Sequence, residues 1–250
     1  MILSQLVLTA DSMSKLEPDE RAFLLLAGQF SNDLTVLHKL VACSFREPAD
    51  ELEHKANAVF VAVLLKTLAS KLWQGWELII NVYDGRRIGR ANWLRKDTQL
   101  QAALKIVRSS FKSDRLLKAI RDQFGYHYDP DSISHHLGTV LAENGFEMMY
   151  SEHAVNAYYL SSELTSWSGI LRTADGERFE QKMGTLVEGI AARSSAFLNL
   201  LNHIGRAFSQ HVVADLGGTL EEKSTTEVLS IDPRDAILPV FLSAEDENEG

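Results

Sequence analysis

The chain of 250 residues contains one cysteine, five prolines and no long apolar run. Because Cys43 stands alone, the chain can form neither an internal disulfide nor a cluster of thiolate ligands for a metal ion, a composition typical of a reducing compartment. No basic segment precedes the short apolar run at the N-terminus, and no uninterrupted apolar stretch reaches about 18 residues, so we expect neither a signal peptide nor a membrane span. The sequence therefore predicts a soluble protein of the cytoplasm.

Motifs of several enzyme classes are also missing. The segment GRRIGR at 85–90 has glycines and arginines but lacks the spacing and the lysine–hydroxyl ending of a phosphate-binding loop, and no dinucleotide-binding fingerprint occurs elsewhere. The histidines and aspartates from His127 to His136 match neither an HExxH site nor a Cys/His zinc site. We therefore expect no nucleotide hydrolysis, no metal ion and no cofactor.

Basic residues are scarce overall but concentrated in one segment. The net charge is −9, which argues against a general affinity for nucleic acid, yet the segment from Arg86 to Arg121 holds eleven of the 25 basic residues and only two acidic ones. That segment therefore carries a net +9, while the rest of the chain carries −18. Such a local positive field attracts a polyanion to one place while the remaining surface repels it. The alternative is a solvated helix face beside a basic loop.

Helical periodicity dominates the pattern of apolar residues, which make up 45% of the chain. Pro18, followed by two acidic residues, is typical of a helix start, and apolar residues then recur at spacings of three and four for about 25 residues. A second long helix is predicted from about 49 to 84, and the short connection favours an antiparallel pair. Shorter helices are predicted at about 96–111 and 114–128, where Pro130 follows.

The C-terminal half contains the strongest helical period and the clearest change in composition. A helix of about 35 residues is predicted from Phe179, whereas aromatic and apolar clusters at 146–160 indicate at most one small β-hairpin. The last segment is acidic, with nine carboxylates and two basic residues, and we expect it to be largely disordered. The predicted fold class is all-α, an up-and-down bundle of long amphipathic helices. Its predicted parts are an N-terminal extension (1–17), a helical domain (18–216) and an acidic tail (217–250).

A candidate catalytic pair lies at the end of the basic segment. Arg121 is followed by the polar Asp122 and, six positions after the arginine, by His127, within the stretch IRDQFGYHYDP. Spacing alone is weak evidence, since about one arginine-to-histidine match of this length is expected by chance in this composition. Arg206 and His211 also fit, but apolar residues follow Arg206 in a plain core pattern. The context therefore favours the first pair.

The stretches AIRDQFGYHYD, AFLLLAGQFSNDLTVLHKL and NAYYLSSEL, set among long amphipathic helices, resemble the HEPN superfamily of all-α domains over roughly residues 18–212. The motif of that family is an arginine, commonly followed by a polar residue, with a histidine a few positions later. The resemblance implies that Arg121 and His127 are the active pair, that Asp122 supports them and that a symmetric homodimer is the working unit. Many members are metal-independent endoribonucleases of toxin–antitoxin and phage-defence systems, which implies RNA as substrate and an antitoxin or defence-system protein as partner. Others keep the fold without demonstrated cleavage.

The chemistry of the pair suits a phosphodiester. The guanidinium of Arg121 binds phosphate oxygens in two places and keeps its charge at all working pH values. A histidine such as His127 changes charge near neutral pH and can exchange a proton with a ribose 2′-hydroxyl, whose attack needs no metal and leaves a 2′,3′-cyclic phosphate. Six residues along a helix span about 9 Å and about 120° of rotation, so the pair is expected to border a groove shared with a second helix.

Two interpretations stay open at this point. In the first, a dimer binds RNA through the basic segment and cuts it with Arg121 and His127. In the second, the same fold is a non-catalytic dimerisation or interaction module whose basic patch receives an acidic partner or RNA, while Arg121 only pairs with a nearby carboxylate and His127 favours the C-terminal dipole of its helix. In both, the residues predicted to contact the polyanion are Arg86, Arg87, Arg90, Arg95, Lys96, Arg108, Lys112, Arg115 and Lys118.

Overall fold

The computed structural model describes residues 2–7, 9–45, 48–112, 115–125, 145–150, 156–171, 179–217 and 219–224 and four isolated residues. Eight α-helices make up most of this described part of the chain. The helices are α1 (Ala10–Ser14), α2 (Pro18–Ser44), α3 (Glu51–Glu77), α4 (Asn92–Arg95), α5 (Thr98–Phe111), α6 (Arg115–Ala119), α7 (Leu160–Leu171) and α8 (Phe179–His211). Three of them continue as π-helical segments, α3 as Leu78–Asp84, α6 as Ile120–Gly125 and α8 as Val212–Leu216, and a 3-10 turn covers Ile88–Arg90. The predicted all-α fold class is confirmed.

Local capping explains where the first two long helices begin. Pro18 opens α2 at a position where the missing N–H costs nothing, and the carboxylate of Glu20 accepts the N–H of Glu17 at 3.1 Å. At the start of α3, Asp50 Oδ1 accepts the N–H of Glu53 at 2.7 Å. Both side chains satisfy N–H groups that lack a partner within the helix.

The chain divides into two compact units, and α2, α3 and α8 each contribute to both. The first unit comprises Met1–Val36, Lys71–Asp114 and Ala191–Ile231, and the second comprises Leu37–Ser70, Arg115–Ile190 and Asp232–Gly250.

The helices α2 and α3 run antiparallel. In the first unit, Lys71 Nζ donates to Asp33 Oδ2 at 2.9 Å, so the end of α3 lies beside the middle of α2. In the second unit, Asn57 Nδ2 donates to the backbone carbonyl of Ser44 at 3.1 Å, so the start of α3 lies beside the end of α2. The predicted antiparallel pair is confirmed.

Aromatic side chains form much of the core of the first unit. Phe30 and Phe111 both pack against Phe197 of α8, with ring centroids 5.0 and 5.2 Å apart, and Trp76 stacks on Phe111 at 5.6 Å. Phe111 and Phe197 are each 1% exposed. Removing such large rings from water stabilises the unit, and the tilted contacts add to that effect.

A two-stranded antiparallel ribbon belongs to the first unit. Strand β1 (Ile2–Val7) pairs with strand β2 (Thr219–Ser224), with Ile2 opposite Ser224 and Val7 opposite Thr219. The ribbon uses residues that the sequence analysis assigns to the N-terminal extension and to the start of the acidic tail. The boundaries of those two parts stay a prediction.

A short antiparallel contact occurs in the second unit, where a small hairpin is predicted. Met149 and Tyr158 form an isolated bridge in which each backbone N–H donates to the other residue's carbonyl at 2.8 Å. Met149 is buried there with Ala56 and Val59 of α3. The described residues of 146–160 therefore contain one bridge, and residues 151–155 lie outside the described part of the chain.

One helical stretch, Glu51–Asp84, is long and apolar enough to cross a membrane by length and composition alone. The core helices of soluble proteins meet the same criterion. This stretch buries Leu65, Leu68, Leu72 and Ile79 within the protein, and each is at most 3% exposed. It is thus a core helix of the bundle.

Candidate nucleic-acid interface

The basic residues predicted to contact a polyanion divide between the two units, and those with described side chains are exposed. Of those whose side chains the structure describes, seven lie in the first unit and one, Lys118, lies in the second. Arg115 begins α6 in the second unit, and its side chain lies outside the described part of the chain. The seven are Arg86, Arg87, Arg90, Arg95, Lys96, Arg108 and Lys112.

Three of the arginines surround an open cavity of about 370 Å³ in the first unit. Arg87 and Arg90 come from the turns that follow α3, and Arg108 comes from α5. A concave site with converging guanidinium groups is suited to the oxygens of a phosphate, because each guanidinium presents a planar fork of donors. The cavity is lined by Tyr83, Asp84, Arg87, Gly89, Arg90, Gln101 and Arg108.

The path of the chain after α3 places these arginines together. The helix widens into a π-helix at Leu78–Asp84, and the N–H of Gly85 reaches back five residues to a carbonyl at 3.1 Å. Arg87 then adopts a left-handed φ of 61°, the single positive value at a residue other than glycine within the described chain. At Gly89 a Cβ would lie 2.8 Å from the ring of Tyr83, so only glycine fits this close approach. Backbone strain of the kind found at Arg87 is concentrated at functional sites.

Asp84 and Tyr83 contribute a negative charge and a neutral hydrogen-bond donor to the cavity. Arg108 Nη2 donates to Asp84 Oδ1, and both side chains are more than 40% exposed, so water screens this pair and a phosphate can compete for the guanidinium. Burial raises the pKa of Tyr83, an effect that a hydrogen bond from Gln101 and the charge of Arg108 oppose. The phenol therefore stays protonated near neutral pH and offers an O–H to an anion.

Arg121 lies in the second unit, on the π-helical segment Ile120–Gly125 that continues α6. Its Nη1 donates to Oδ1 of the adjacent Asp122 at 3.1 Å, with the two side chains 33% and 42% exposed. An ion pair of this exposure contributes about 1 kcal/mol or less. His127, the predicted second member of the pair, lies outside the described residues. The pairing of Arg121 with His127 stays a prediction.

The rival pair, whose members are five positions apart, is engaged in contacts of the first unit. Arg206 Nη2 donates to Asp97 Oδ2 at 3.3 Å. His211 Nδ1 lies 2.7 Å from Asp215 Oδ2, and its ring stacks on Trp93 with the centroids 5.6 Å apart and the planes 4° apart. The His211 side chain is only 17% exposed. These contacts give both rival side chains a role in packing the end of α8.

Sequence reasoning did not single out the non-arginine residues of the cavity. Tyr83 and Asp84 fit the predicted end of the second long helix, and Gln101 fits an ordinary exposed position on a helix. The only available signal was GRRIGR, whose glycines indicated a loop but not its shape. In the described ranges, no group of three or more His, Cys, Asp and Glu side chains is close enough to hold a metal ion.

The comparisons with known proteins identify no relative. No protein-family model, curated protein or solved structure matches the chain. The HEPN resemblance therefore depends on the three sequence stretches that carry it and on the all-α class.

Proposed function

We propose that the protein is an HEPN-type endoribonuclease of the cytoplasm that binds RNA and cuts it as a homodimer without a metal ion, in a toxin–antitoxin or phage-defence system. One observation carries the proposal: in a protein with a net charge of −9, Arg87, Arg90 and Arg108 converge on one cavity. The hydroxyl of Tyr83 in its lining adds a neutral donor. This combination is suited to a phosphate of a nucleic-acid backbone, because most contacts of such interfaces go to phosphate oxygens.

The proposed chemistry uses Arg121 and His127 on the scissile phosphate. His127 accepts the proton of the ribose 2′-hydroxyl, the 2′-oxygen attacks phosphorus, and the bond to the 5′-oxygen breaks as that oxygen takes up a proton from water. His127 then returns its proton to the solvent. The products are a 2′,3′-cyclic phosphate and a 5′-hydroxyl end. Arg121 stabilises the charge that develops on the non-bridging oxygens. Asp122, which holds the guanidinium at 3.1 Å, keeps it oriented until the phosphate arrives.

A homodimer is part of the proposal because of the spacing of the motif. The sequence predicts that one helix carries Arg121 and His127, and six residues of an α-helix span about 9 Å, so a two-fold partner would supply a second helix to complete the groove. An antitoxin or another defence-system protein that covers the basic surface is the expected regulatory partner.

The second candidate function is a non-catalytic interaction module, and two ion pairs favour it. Arg121 and Arg108 each already contact a carboxylate of this chain, Asp122 and Asp84. An acidic protein segment also supplies carboxylates, so these basic residues are equally suited to an acidic partner or to the chain's own acidic tail. The two candidates differ in one outcome, since only the first predicts that RNA is cut.

Incubation of purified protein with RNA in EDTA, followed by analysis of the product ends, tests the proposal. We expect the unaltered chain to produce 2′,3′-cyclic phosphate ends and the Arg121→Ala and His127→Ala variants to lose that activity. His211→Ala is the matched control, because it removes a histidine that follows an arginine at a similar spacing, five positions after Arg206, and it is expected to cut normally. Circular dichroism and sedimentation verify that each variant keeps its fold and oligomeric state. Equal activity in all four proteins, or no cleavage by any of them, contradicts the nuclease proposal and favours the interaction module.

A further inference from the structure

The bridge of Met149 with Tyr158 in the second unit has an inner and an outer face. Side chains of an extended segment point alternately to its two faces. Met149 and Tyr158 point inward to α3, where Met149 is buried with Ala56 and Val59 and Tyr158 packs against them. The side chains on either side of these two in the chain therefore point to the outer face.

The outer face presents three aromatic rings and one thioether to solvent. Phe146 is 64% exposed, Tyr150 77%, Tyr159 49% and Met148 38%. Met148 lies opposite Tyr159, because the bridge pairs the residues next to them. Burial of side chains of this size would stabilise the protein, so a group of them left in water points to a binding surface. These four residues are called the aromatic face below.

The carboxylate within this stretch points away from the aromatic face. Glu147 stands between Phe146 and Met148 in the chain, but Lys55 of α3 donates to its Oε1 at 2.7 Å on the inner side. The backbone N–H of Glu147 donates to Ser161 Oγ at 2.6 Å, which holds the stretch beside the start of α7. The charge of Glu147, which would repel a phosphate, is therefore directed to α3.

The area of the aromatic face suits nucleobases better than a protein partner. A fully buried aromatic side chain removes about 150–250 Å² from water, so the exposed parts of the three rings offer roughly 400 Å². A stable protein–protein interface takes about 800 Å² from each partner. A single-stranded nucleic acid needs less, because each base stacks on one ring and gains affinity from that contact alone.

Helix α7 connects the aromatic face with the proposed catalytic arginine. Tyr159 directly precedes α7, and α7 lies against Ile120–Gly125, the π-helical segment that carries Arg121. All of these residues belong to the second unit, and the twelve residues of α7 span about 18 Å. A strand whose bases rest on the rings can therefore extend along α7 toward the guanidinium.

We propose that the aromatic face is a stacking platform for the unpaired bases of single-stranded RNA. Every base has a π-face, so the rings accept bases with little preference for sequence. In a duplex the bases stack on one another and are not free to stack on the rings, so the substrate is single-stranded where it meets this face. The choice of RNA rests on the proposed function, but the platform itself requires neither Arg121 nor cleavage.

Fluorescence anisotropy with two 2′-O-methyl RNA strands of equal length tests the proposal, because the methyl group prevents attack by the 2′-oxygen. One strand carries a base at every position, and the other is abasic but keeps every phosphate. We expect the full chain to bind the strand with bases at least about fivefold more tightly, the value of one stacked base. Equal affinity for the two strands overturns the proposal.

Substitutions of Tyr150 assign the surface. Tyr150→Leu keeps an apolar side chain without a ring, and we expect its affinity for the strand with bases to fall at least about fivefold. Tyr150→Phe keeps the ring and is expected to leave that affinity unchanged. Phe45→Leu is the matched control, because Phe45 is 50% exposed and belongs to the second unit but follows α2 outside the aromatic face. An equal loss in Tyr150→Phe and Tyr150→Leu, or in Phe45→Leu, contradicts stacking on this face.

The platform and the nuclease proposal fail in different ways. Tighter binding of the strand with bases by a protein that cuts no RNA contradicts the nuclease proposal and supports the platform. Cleavage of RNA by a protein that binds both strands equally contradicts the platform alone.

Discussion

Asp97 and Arg206 form an ion pair in which Nη2 lies 3.3 Å from Oδ2 and joins the start of α5 to the end of α8. The same carboxylate caps α5, since Oδ1 accepts the N–H groups of Gln99 and Leu100 at 2.9 Å. These bonds, above all the one from the N–H of Leu100, hold the pKa of Asp97 below its usual value.

Asp97→Ala is predicted to lower the free energy of unfolding by about 1 kcal/mol, the usual cost of a lost N-cap. The stabilisation by Asp97 is fully present above the carboxyl's unfolded pKa of 3.8 and is lost as the pH falls through the lower folded value. Urea unfolding at neutral pH and at pH values below the unfolded pKa measures both effects. The difference between Asp97→Ala and the unaltered chain should shrink in acid. Glu188→Gln, at an exposed position, is the control, and an equal loss in both variants contradicts the assigned role.

The long helices were predictable because they are amphipathic, whereas α7 was not. Within α7, Ser161, Thr165 and Ser166 are buried, which interrupts the apolar period on which the sequence analysis depends. Their burial is possible because Thr165 Oγ1 and Ser166 Oγ donate to carbonyls four residues earlier, at 2.7 and 3.0 Å. A polar residue whose hydroxyl donates to a carbonyl of its own helix can be buried. In the sequence it cannot be told from a polar residue that is exposed to solvent.

The ribbon of β1 and β2 and the shape of the basic cavity could not be predicted from the sequence either. Ile2 and Ser224 pair across almost the whole chain, and no local pattern specifies so distant a partner. The density of positive charge was visible in the sequence, but which arginines converge depends on the π-helical end of α3 and on the left-handed backbone at Arg87. Those features are set by packing rather than by the residues' own preferences.

Gly75→Ala and Gly184→Ala are predicted to change stability in opposite directions. At Gly75 a Cβ would lie 2.2 Å from the ring of Phe30, so alanine forces the ring to move in a packed core and is expected to cost about 1–3 kcal/mol. At Gly184 nothing lies within 4 Å of the added Cβ, and alanine should stabilise α8 by about 0.5–1 kcal/mol. Thermal unfolding of both variants measures the difference. Stabilisation by both substitutions would contradict the packing described at Phe30.

Removal of one charge from the ion pair of Lys66 and Glu163 is predicted to destabilise the second unit more than removal of both charges. Lys66→Met leaves a poorly solvated carboxylate without its counter-charge, which typically costs about 3–5 kcal/mol. The double substitution of Lys66→Met with Glu163→Leu removes both charges and should recover most of that loss. Urea unfolding of the two single variants and of the double variant completes the cycle. Additive losses would show that the two side chains do not interact.

Replacement of Arg87 by glycine is predicted to weaken RNA binding and to stabilise the protein. Arg87→Gly relieves the left-handed backbone and should raise the free energy of unfolding by up to about 1 kcal/mol, while RNA binding weakens. Arg90→Gln should weaken RNA binding without stabilising the fold, and each lost phosphate contact should reduce the slope of log K against log salt by about 0.7. Fluorescence anisotropy with a single-stranded RNA over a range of salt concentrations measures the affinity of each variant for RNA and its dependence on salt. Arg21→Gln, outside the basic segment, is the control, and an equal effect there contradicts the assigned interface.

The measurement that tests the account most directly compares cleavage of one RNA with cleavage of its fully 2′-deoxy counterpart, with EDTA present and with Arg121→Ala and His127→Ala in parallel. The account predicts that only the RNA is cut, that its product ends are 2′,3′-cyclic phosphates and that both variants are inactive. Cleavage of the deoxy strand, or activity that survives in either variant, would contradict attack by the 2′-hydroxyl at a site formed by Arg121 and His127.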